Sequence, residues 1–276
     1  MPFTFAHPAI VLPFYRVRWL SFSALIFGSM APDFEYFLRL RPYSTISHTV
    51  AGLFLFDLPM VFLLAFLFHF IVKRSLVAHL PAPLDRGLHS LANRPWQLGS
   101  FRSFVVFAYS ALIGSFSHVA WDAFTHDGAF FVQRISLLQQ KVVMAGWEIP
   151  VYKLLQHGST LGGLLLIALF TWAAARRKNS SRLPTDTCEA SAILTGYAGS
   201  SPHFFPEKLL YWSGVGFCGI LTAAGYLWLT QDGNLLLRPL AGVVPFLSGC
   251  ILGLVLLSLL DQRHWLRKRQ AEDKHL

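Results

Sequence analysis

The sequence predicts an all-α membrane protein: a polytopic helix bundle with about six transmembrane helices and a short N-terminal re-entrant helix. Hydrophobic residues make up 54% of the 276-residue chain, whereas only 13% are charged. A soluble domain has a similar apolar content but is about one quarter charged, so the shortage of charge indicates a membrane protein. The net charge of +9 arises from basic residues in short clusters between apolar runs. That pattern is typical of topology signals and not of a nucleic-acid-binding surface, so no nucleic-acid partner is expected.

The first element is a short apolar segment, residues 3–14, which contains His7. A transmembrane helix needs about 20 residues, so this segment is predicted to re-enter the membrane without crossing it. Arg16 and Arg18 follow the apolar stretch instead of preceding it. The sequence therefore predicts no cleavable signal peptide.

The next elements are four predicted spans, which we interpret as one metal-site membrane domain, residues 1–175. The predicted spans are 19–38, 50–72, 104–124 and 158–175. Pro32 interrupts the first span and frees the carbonyl of Gly28, so a kink is expected there. The fourth span contains Gly158 and Gly162, whose spacing predicts a close approach to another helix.

Connecting segments and the C-terminal region complete the predicted organisation. Residues 73–103 and 125–156 are predicted to be loops. A basic, Ser/Thr-rich cytoplasmic linker follows at 176–208, then a pair of spans at 209–260 and a charged tail at 261–276. With six spans, the Lys/Arg-rich segments fall on one side of the membrane. The positive-inside tendency therefore predicts an inner (plasma) membrane protein with both termini in the cytoplasm.

Ionisable side chains cluster at one end of the predicted spans. His118 and Asp122 are four residues apart and therefore share one face of the third span. In the six-span topology, Asp33 and His48 lie at the same depth, on the side away from the cytoplasm. His7 reaches that depth if residues 3–14 rise as a half-helix. Ionisable groups in apolar spans are costly, which favours a functional role for this cluster.

Three imidazoles and two carboxylates at one depth predict a divalent metal site. Imidazole suits zinc, and carboxylates extend the choice to manganese. The predicted metal ligands are His7, Asp33, His48, His118 and Asp122. His126 and His157 are predicted catalytic residues that transfer or orient protons. Glu35, Asp57 and Asp127 are predicted to surround and orient the ligands.

Some of these residues have simpler interpretations that the sequence leaves open. His118 with Asp122, or Glu35 alone, could contact lipid headgroups, since polar residues are common at membrane interfaces. Asp57 is half a turn out of phase with His48 on an ideal helix. It is expected to face away from the site unless Pro59 redirects it, and it could instead pair with a basic side chain.

Four motifs carry a resemblance to a known group of proteins. They are FAHPA (5–9), GSMAPDFEY (28–36), SHT (47–49) and SHVAWDAFTH (117–126). Together they resemble an uncharacterised bacterial family of multi-pass inner-membrane proteins, along the whole chain. More distantly, their order is similar to inner-membrane metal-dependent hydrolases and to the zinc-dependent phospholipase C group. The resemblance implies ligand roles for the same five residues. No late His and Glu pair is evident, so a trinuclear site is not expected.

The sequence favours a membrane-embedded metal-dependent hydrolase that acts on a phosphoester or lipid-linked substrate at the outer membrane interface. Its expected partners are membrane lipids. The first alternative is a non-enzymatic cation-binding or transport protein that uses Asp57 within the membrane. The second is a structural membrane protein whose polar residues join helices. Transport requires ionisable groups at several depths along a path through the membrane, whereas hydrolysis requires one cluster at a single depth. Most of the ionisable residues are predicted to lie at one depth, which favours hydrolysis.

Overall fold

The computed structural model describes residues 3–144, 146–180, 205–230 and 241–273. Its α-helices are α1 (Phe22–Gly28), α2 (Phe34–Arg39), α3 (Val50–Ala78), α4 (Leu84–Ala92), α5 (Phe101–Thr125), α6 (Phe130–Arg134), α7 (Ser136–Gln139), α8 (Val151–Ser180), α9 (Phe205–Leu229) and α10 (Val243–Asp273). There are also two 3₁₀ helices, Thr4–Arg16 and Ala31–Asp33, and one hairpin formed by β1 (Lys141–Met144) and β2 (Trp147–Pro150).

Five of the described helical segments are long and apolar enough to cross a membrane. They are Val50–Ala78, Phe101–Arg134, Val151–Arg177, Pro206–Leu229 and Val243–Arg263. The predicted class, an all-α multi-pass membrane protein, is thereby confirmed.

The first predicted span, residues 19–38, is not a continuous helix. α1 ends at Gly28, the 3₁₀ helix Ala31–Asp33 follows, and α2 begins at Phe34. Pro32 lacks an N–H and cannot continue α1, so the expected kink is a complete break. The described part of the chain therefore has five candidate spans in place of about six.

The chain forms two compact units. The first comprises Met1–Arg39, Tyr43–Ala65 and Gln97–Phe170, and the second comprises Leu40–Pro42, Phe66–Trp96 and Thr171–Leu276. All the predicted site residues belong to the first unit. Residues 66–96 group with the C-terminal helices, although the sequence suggests one domain over 1–175. Most of the predicted linker, residues 181–204, lies outside the described residues, and the predicted charged tail continues α10 to Asp273.

In the first unit, an N-terminal hairpin of the 3₁₀ helix Thr4–Arg16 and α1 packs along α5 and α8. The 3₁₀ helix has 13 residues, far more than is usual, and at about 2.0 Å per residue it extends about 26 Å. The Phe3 amide donates to Thr160 Oγ1 at 3.2 Å, and the Tyr15 and Phe170 rings meet edge to face at 5.1 Å. The segment thus packs along the candidate spanning helix α8, and its re-entry into the membrane stays a prediction.

The close approach on α8 is at Gly163, and the prediction for Gly158 and Gly162 is wrong. A Cβ at Gly163 would lie 2.9 Å from the carbonyl oxygen of Ala6. At Gly158 or Gly162, a Cβ would meet no described atom within 4 Å. The spacing of glycines shows that one face of a helix lacks side chains. It does not show whether that face packs against another helix.

α1 and α5 cross at a pair of glycines, Gly28 and Gly114. A Cβ on Gly28 would lie 2.3 Å from the carbonyl oxygen of Ala111, and one on Gly114 would lie 2.5 Å from that of Leu25. Only residues without a side chain permit this approach. The crossing brings the residues that follow α1 against the half of α5 that carries His118.

α3 contains two π-turns, Leu53–Asp57 and Phe68–Val72. In the first, the Leu58 amide bonds to the carbonyl of Leu53, five residues earlier. A π-turn holds more residues than an α-turn and so changes the direction of every later side chain. Asp57 is consequently fully buried within the first unit.

The two predicted loops both contain regular structure. Residues 73–103 include the end of α3 and all of α4. α3 continues through Lys73, whose ammonium donates to the Arg94 carbonyl at 2.6 Å. Residues 125–156 include α6, α7 and the β-hairpin, whose turn contains Gly146 at φ 81°. The basic and aromatic residues of these two segments suggest loops. In the structure, much of the backbone of both segments is hydrogen-bonded within helices and strands.

In the second unit, the predicted C-terminal pair of spans is present as α9 and α10. They pack at small residues: a Cβ on Gly249 would lie 2.5 Å from the Cys218 carbonyl oxygen and 2.8 Å from the Gly219 Cα. Close backbone contact of this kind is typical of helix association in membranes. Polar contacts also join the helix ends, since the Lys208 ammonium donates to Asp85 at 2.5 Å.

Candidate metal centre

The five predicted ligands meet in one cluster inside the first unit. His7 comes from the N-terminal 3₁₀ helix, Asp33 from the short 3₁₀ helix, His48 from the segment before α3, and His118 and Asp122 from α5. His118 Nε2 lies 3.5 Å from Asp33 Oδ1 and 3.4 Å from Asp122 Oδ2. His48 Nε2 lies 3.8 Å from Asp33 Oδ1 and 3.7 Å from Asp122 Oδ2, and His7 Nε2 lies 3.6 Å from Asp122 Oδ1.

Each of the five side chains directs one unpaired, buried atom toward the others. Within the described ranges, nothing hydrogen-bonds to His7 Nε2, Asp33 Oδ1, His48 Nε2, His118 Nε2 or Asp122 Oδ1. Charge-assisted N–H···O bonds are about 2.7–2.9 Å long, so separations of 3.4–3.8 Å are too great. Unpaired buried polar atoms are unfavourable, and five that converge are typical of a site that an ion or ordered water fills.

The opposite atoms of these side chains are held by hydrogen bonds. His118 Nδ1 donates to the Ser29 carbonyl oxygen at 2.8 Å, which fixes the proton on Nδ1 and leaves the Nε2 lone pair free. His48 Nδ1 is hydrogen-bonded to Ser47 Oγ at 3.0 Å, and Thr4 Oγ1 donates to Asp33 Oδ2 at 2.5 Å. Such contacts orient metal ligands in known sites.

His7 is stacked on His118, with ring centroids 3.7 Å apart and an interplanar angle of 15°. Burial lowers the pKa of His7 to about 3. A neutral imidazole has a lone pair available for a cation. His7 is therefore in its metal-binding form at neutral pH.

Two overlapping groups of these atoms could hold a metal ion. They are His7 with His118 and Asp122, and Asp33 with His48 and His118, with ligand atoms within 4.8 Å of one another in each. Both groups use His118, whose Nε2 has one lone pair. The arrangement thus suits one ion shared by all five side chains better than two ions.

Glu35 holds the segment that delivers His48. Its carboxylate accepts backbone N–H bonds from Thr45, Ile46 and Ser47 at 2.9, 3.1 and 2.8 Å, and a further bond from Arg39 Nε at 2.9 Å. Burial opposes ionisation, but these donors hold the pKa of Glu35 well below its usual range. Glu35 contacts the His48 segment, as expected for an orienting acid, and not the ligand atoms themselves.

His126 is the nearest further titratable group. It is the first residue after α5, and its Nδ1 lies 3.1 Å from the Asp122 carbonyl oxygen and 3.5 Å from Asp122 Oδ1. Its Nε2 has no hydrogen-bond partner among the described residues. The side chains of His126 and His48 are 27% and 22% exposed, whereas those of His7, Asp33 and His118 are at most 2% exposed. The cluster thus opens on the side of His48 and His126.

The structure does not bring His157 or Asp127 into the cluster. Both are exposed, His157 on α8 and Asp127 just beyond α5, and neither has a described contact with the five side chains. The backbone turns away after His126, with Gly128 at φ 72°, which explains why Asp127 points outward.

Asp57 is buried deeper in the first unit, without the basic partner considered for it. Neither carboxylate oxygen has a hydrogen-bond partner in the described part of the chain. It lies in the π-turn of α3, which packs against α5 and the short 3₁₀ helix that carries Asp33. The sequence suggests that Pro59 could redirect Asp57 toward the site. In the structure, Asp57 itself lies in the π-turn, which directs its side chain into the first unit.

Sequence reasoning missed the residues that orient the ligands, namely Thr4, Ser29 and Ser47. The adjacent pair Ser47–His48 was a usable signal, because a neighbouring hydroxyl can bond to an imidazole. Ser29 acts through its carbonyl, which any residue has, so its role carries no sequence signal. Tyr36 was also missed, and its ring stacks on His48 at 5.5 Å.

Comparison with known families gives one match, which covers nearly the whole chain. The family described as Domain of unknown function (DUF4184) matches residues 1–259. No curated protein and no solved structure matches the chain. The matched region contains all five clustered side chains and the five candidate spans except the last residues of α10. The chain therefore belongs to the family of the domain of unknown function DUF4184.

Proposed function

We propose that His7, Asp33, His48, His118 and Asp122 bind one divalent metal ion, and that the protein is a membrane-embedded metal-dependent hydrolase. The observation that carries the proposal is the convergence of five unpaired, buried donor atoms from four segments of the chain. A structural polar contact would instead pair these atoms with one another.

The spacing of the donor atoms supports a shared ion. Two ligands at 2.0–2.2 Å from a four-coordinate ion are about 3.3–3.6 Å apart, and they lie closer still when five ligands share the ion. The closest nitrogen–oxygen pairs in the cluster are 3.4–3.8 Å apart. Binding of one ion by all five side chains would therefore draw them together. Zinc is the metal we favour for three imidazoles, with manganese as the alternative because two carboxylates take part.

The substrate class that we propose is a phosphoester, soluble or lipid-linked. A divalent cation held here supplies Lewis-acid activation of water and of a phosphoryl oxygen. His48 and His126 lie on the open side, where a substrate would enter. His126 Nδ1 donates to the Asp122 carbonyl oxygen, so its unpaired Nε2 carries a lone pair and is positioned to accept a proton from an attacking water.

Metal content of the purified protein tests the metal site. We expect about one zinc or manganese ion per wild-type chain, and little in the double variant His118→Ala with Asp122→Ala. His89→Ala is the matched control, because it removes an imidazole from α4 in the second unit. Equal, negligible metal in the wild type and the double variant would exclude the proposal.

Hydrolysis is tested separately through His126. His126→Ala is expected to keep its metal but to lose phosphodiesterase activity by about 10²–10⁴-fold, the usual contribution of a general base. Model phosphodiesters and phospholipid vesicles serve as substrates. Metal binding without hydrolysis of either substrate would leave a metal-binding protein and refute the enzyme.

We further propose an inner-membrane location with the cluster facing away from the cytoplasm. Residues 79–100 contain Arg86 and Arg94, and α8 ends in Arg176 and Arg177. The positive-inside tendency places these segments in the cytoplasm. If residues 79–100 are cytoplasmic, the residues before α3 lie on the outer side. With five spans, the residues after α10 then lie in the cytoplasm. This proposal differs from the six-span expectation, in which both terminal regions are cytoplasmic.

Cation binding or transport is the second candidate function, and Asp57 favours it. A carboxylate with two unpaired oxygens within a spanning helix is a recognised mark of ion pathways. Divalent-cation uptake into proteoliposomes that disappears in Asp57→Ala but persists in His126→Ala would favour transport over hydrolysis.

A further inference from the structure

The β-hairpin β1–β2 has one face made only of apolar side chains. In its antiparallel register, Val142 pairs with Ile149 and Met144 pairs with Trp147. Paired residues project to the same side of a hairpin, and side chains alternate between sides. Val142, Met144, Trp147 and Ile149 therefore share one face, which we call the apolar face.

The other face carries charge. Val143 pairs with Glu148 on that side, and Lys141 Nζ lies 3.0 Å from Glu148 Oε2. The two charged side chains are 61% and 64% exposed, as expected for an ion pair in contact with water. The hairpin is thus amphipathic, although it has only two strands.

No described residue covers the outer part of the apolar face. Trp147 is 74% exposed and Met144 is 51% exposed. A two-stranded hairpin is at best marginally stable in water, and exposed apolar patches mark interaction surfaces. Another phase or molecule must therefore cover this face.

The position of the hairpin in the chain identifies what covers it. β2 ends at Pro150, and the candidate span Val151–Arg177 begins at the next residue. Val132, Leu138 and Tyr152 form a small core with Phe124 of α5, which fastens the segment to the ends of two spanning helices. The hairpin is therefore joined directly to the ends of candidate spanning helices, where the chain meets the membrane surface.

We infer that the apolar face of this hairpin lies in the headgroup–acyl boundary of the bilayer, on the same side as the His/Asp cluster. Tryptophan and aliphatic side chains are suited to that boundary, and the Lys141–Glu148 face remains in water. The hairpin thereby sets the start of α8 at the level of lipid headgroups, and the Val132–Leu138–Tyr152 core joins α8 there to the end of α5. The inference does not depend on metal binding.

Site-directed quenching in proteoliposomes tests the inference. A single cysteine is placed at Met144 or Trp147 on the apolar face, or at Val143 on the charged face, after Cys188, Cys218 and Cys250 are replaced by alanine. Each cysteine carries a polarity-sensitive fluorophore. Lipid nitroxides near the headgroup are expected to quench labels at 144 and 147 several-fold more than a label at 143, and aqueous iodide is expected to do the opposite.

Val143 is the matched control, because it neighbours Met144 on the same strand. Equal iodide quenching at all three positions would show that the hairpin lies in water, and the inference would be overturned. Protection of position 144 from both quenchers, with cross-linking between two copies at that position, would assign the face to self-association and would also overturn it. The second position on the apolar face, 147, excludes a local folding defect at 144.

Discussion

At the scale of single residues, Glu35 links two ligands that come from different segments. Asp33 lies two residues before Glu35. The Glu35 carboxylate accepts the backbone N–H groups of residues 45–47, which precede His48. A carboxylate can accept from several amides at once, whereas an amide side chain opposes some of them with its own N–H groups. Glu35 therefore positions His48 through the backbone.

Glu35→Gln is expected to weaken metal binding by about 10–100-fold, the usual effect of removing an orienting partner. Competition with a chelator of known affinity measures the change. Glu148→Gln, which removes an exposed carboxylate from an ion pair, is the control and should leave the affinity unchanged. An unaltered affinity in Glu35→Gln would mean that His48 is positioned by other contacts.

Asp57 presents the opposite situation, a buried polar group whose oxygens have no described partner. Burying such a group without hydrogen bonds costs about 1–3 kcal/mol in proteins. Asp57→Ala is therefore expected to raise the free energy of unfolding by about that amount, measured by thermal denaturation in detergent. The exposed Asp127→Ala should change it by less than about 0.5 kcal/mol. A destabilised Asp57→Ala protein would indicate a ligand bound to this carboxylate.

The clustered residues could be predicted from sequence because they interrupt apolar runs. His118 and Asp122 stand four apart within such a run, and Asp33 follows a proline at the end of another. Their mutual distances could not be predicted, because these depend on Ser29, Thr4 and the backbone of residues 45–47. Every residue has a backbone carbonyl and nearly every residue has a backbone N–H, so contacts made by these groups cannot be recognised from residue types.

At the scale of elements, the helix types were not predictable from the sequence. The N-terminal segment is a 3₁₀ helix and α3 contains π-turns, but apolar residues surround both on every side. Periodicity distinguishes helix types only where polar residues mark one face. The assumption of ideal α-geometry therefore directed Asp57 away from the cluster, whereas the π-turn turns it inward.

The glycine crossing of α1 and α5 provides the element-scale prediction. A Cβ on Gly114 would lie 2.5 Å from the Leu25 carbonyl oxygen, so Gly114→Ala must separate the two helices. We expect a loss of about 1–3 kcal/mol in unfolding free energy, as for other overpacked sites. Metal affinity should fall as well, since the carbonyl of Ser29 moves away from His118.

Gly158→Ala is the matched control for that variant. A Cβ at Gly158 would meet no described atom within 4 Å, so only helix propensity changes. The substitution should be neutral or stabilise by up to about 1 kcal/mol. Equal stability of the Gly114→Ala and wild-type proteins would contradict the close approach of α1 and α5.

At the scale of the whole molecule, the number of spans decides which segments face the cytoplasm. Gly99 precedes α5 and Glu148 precedes α8, so one spanning helix separates them. In a cysteine-free background, a membrane-impermeant maleimide should label a cysteine at 148 in intact cells. It should label a cysteine at 99 only after the cells are opened. Labelling of both from one side would contradict the crossing of α5.

The class of the molecule followed from composition, but its division into two units did not. Residues 66–96 follow the first part of α3 without interruption, yet they group with α9 and α10. Apolar spans report that a helix lies in a membrane and give little information about its neighbours, because lipid and protein are equally apolar.

The contact of Ala6 and Gly163 sets an order of events during biogenesis. The surface of α8 that supports the segment carrying His7 is synthesised more than 150 residues after that segment. The earliest donor is thus the last to be fixed in place. If the proposed metal site is formed, a nascent chain without α8 would offer a cation only Asp33, His48, His118 and Asp122, and insertion of α8 would add His7 as the fifth ligand.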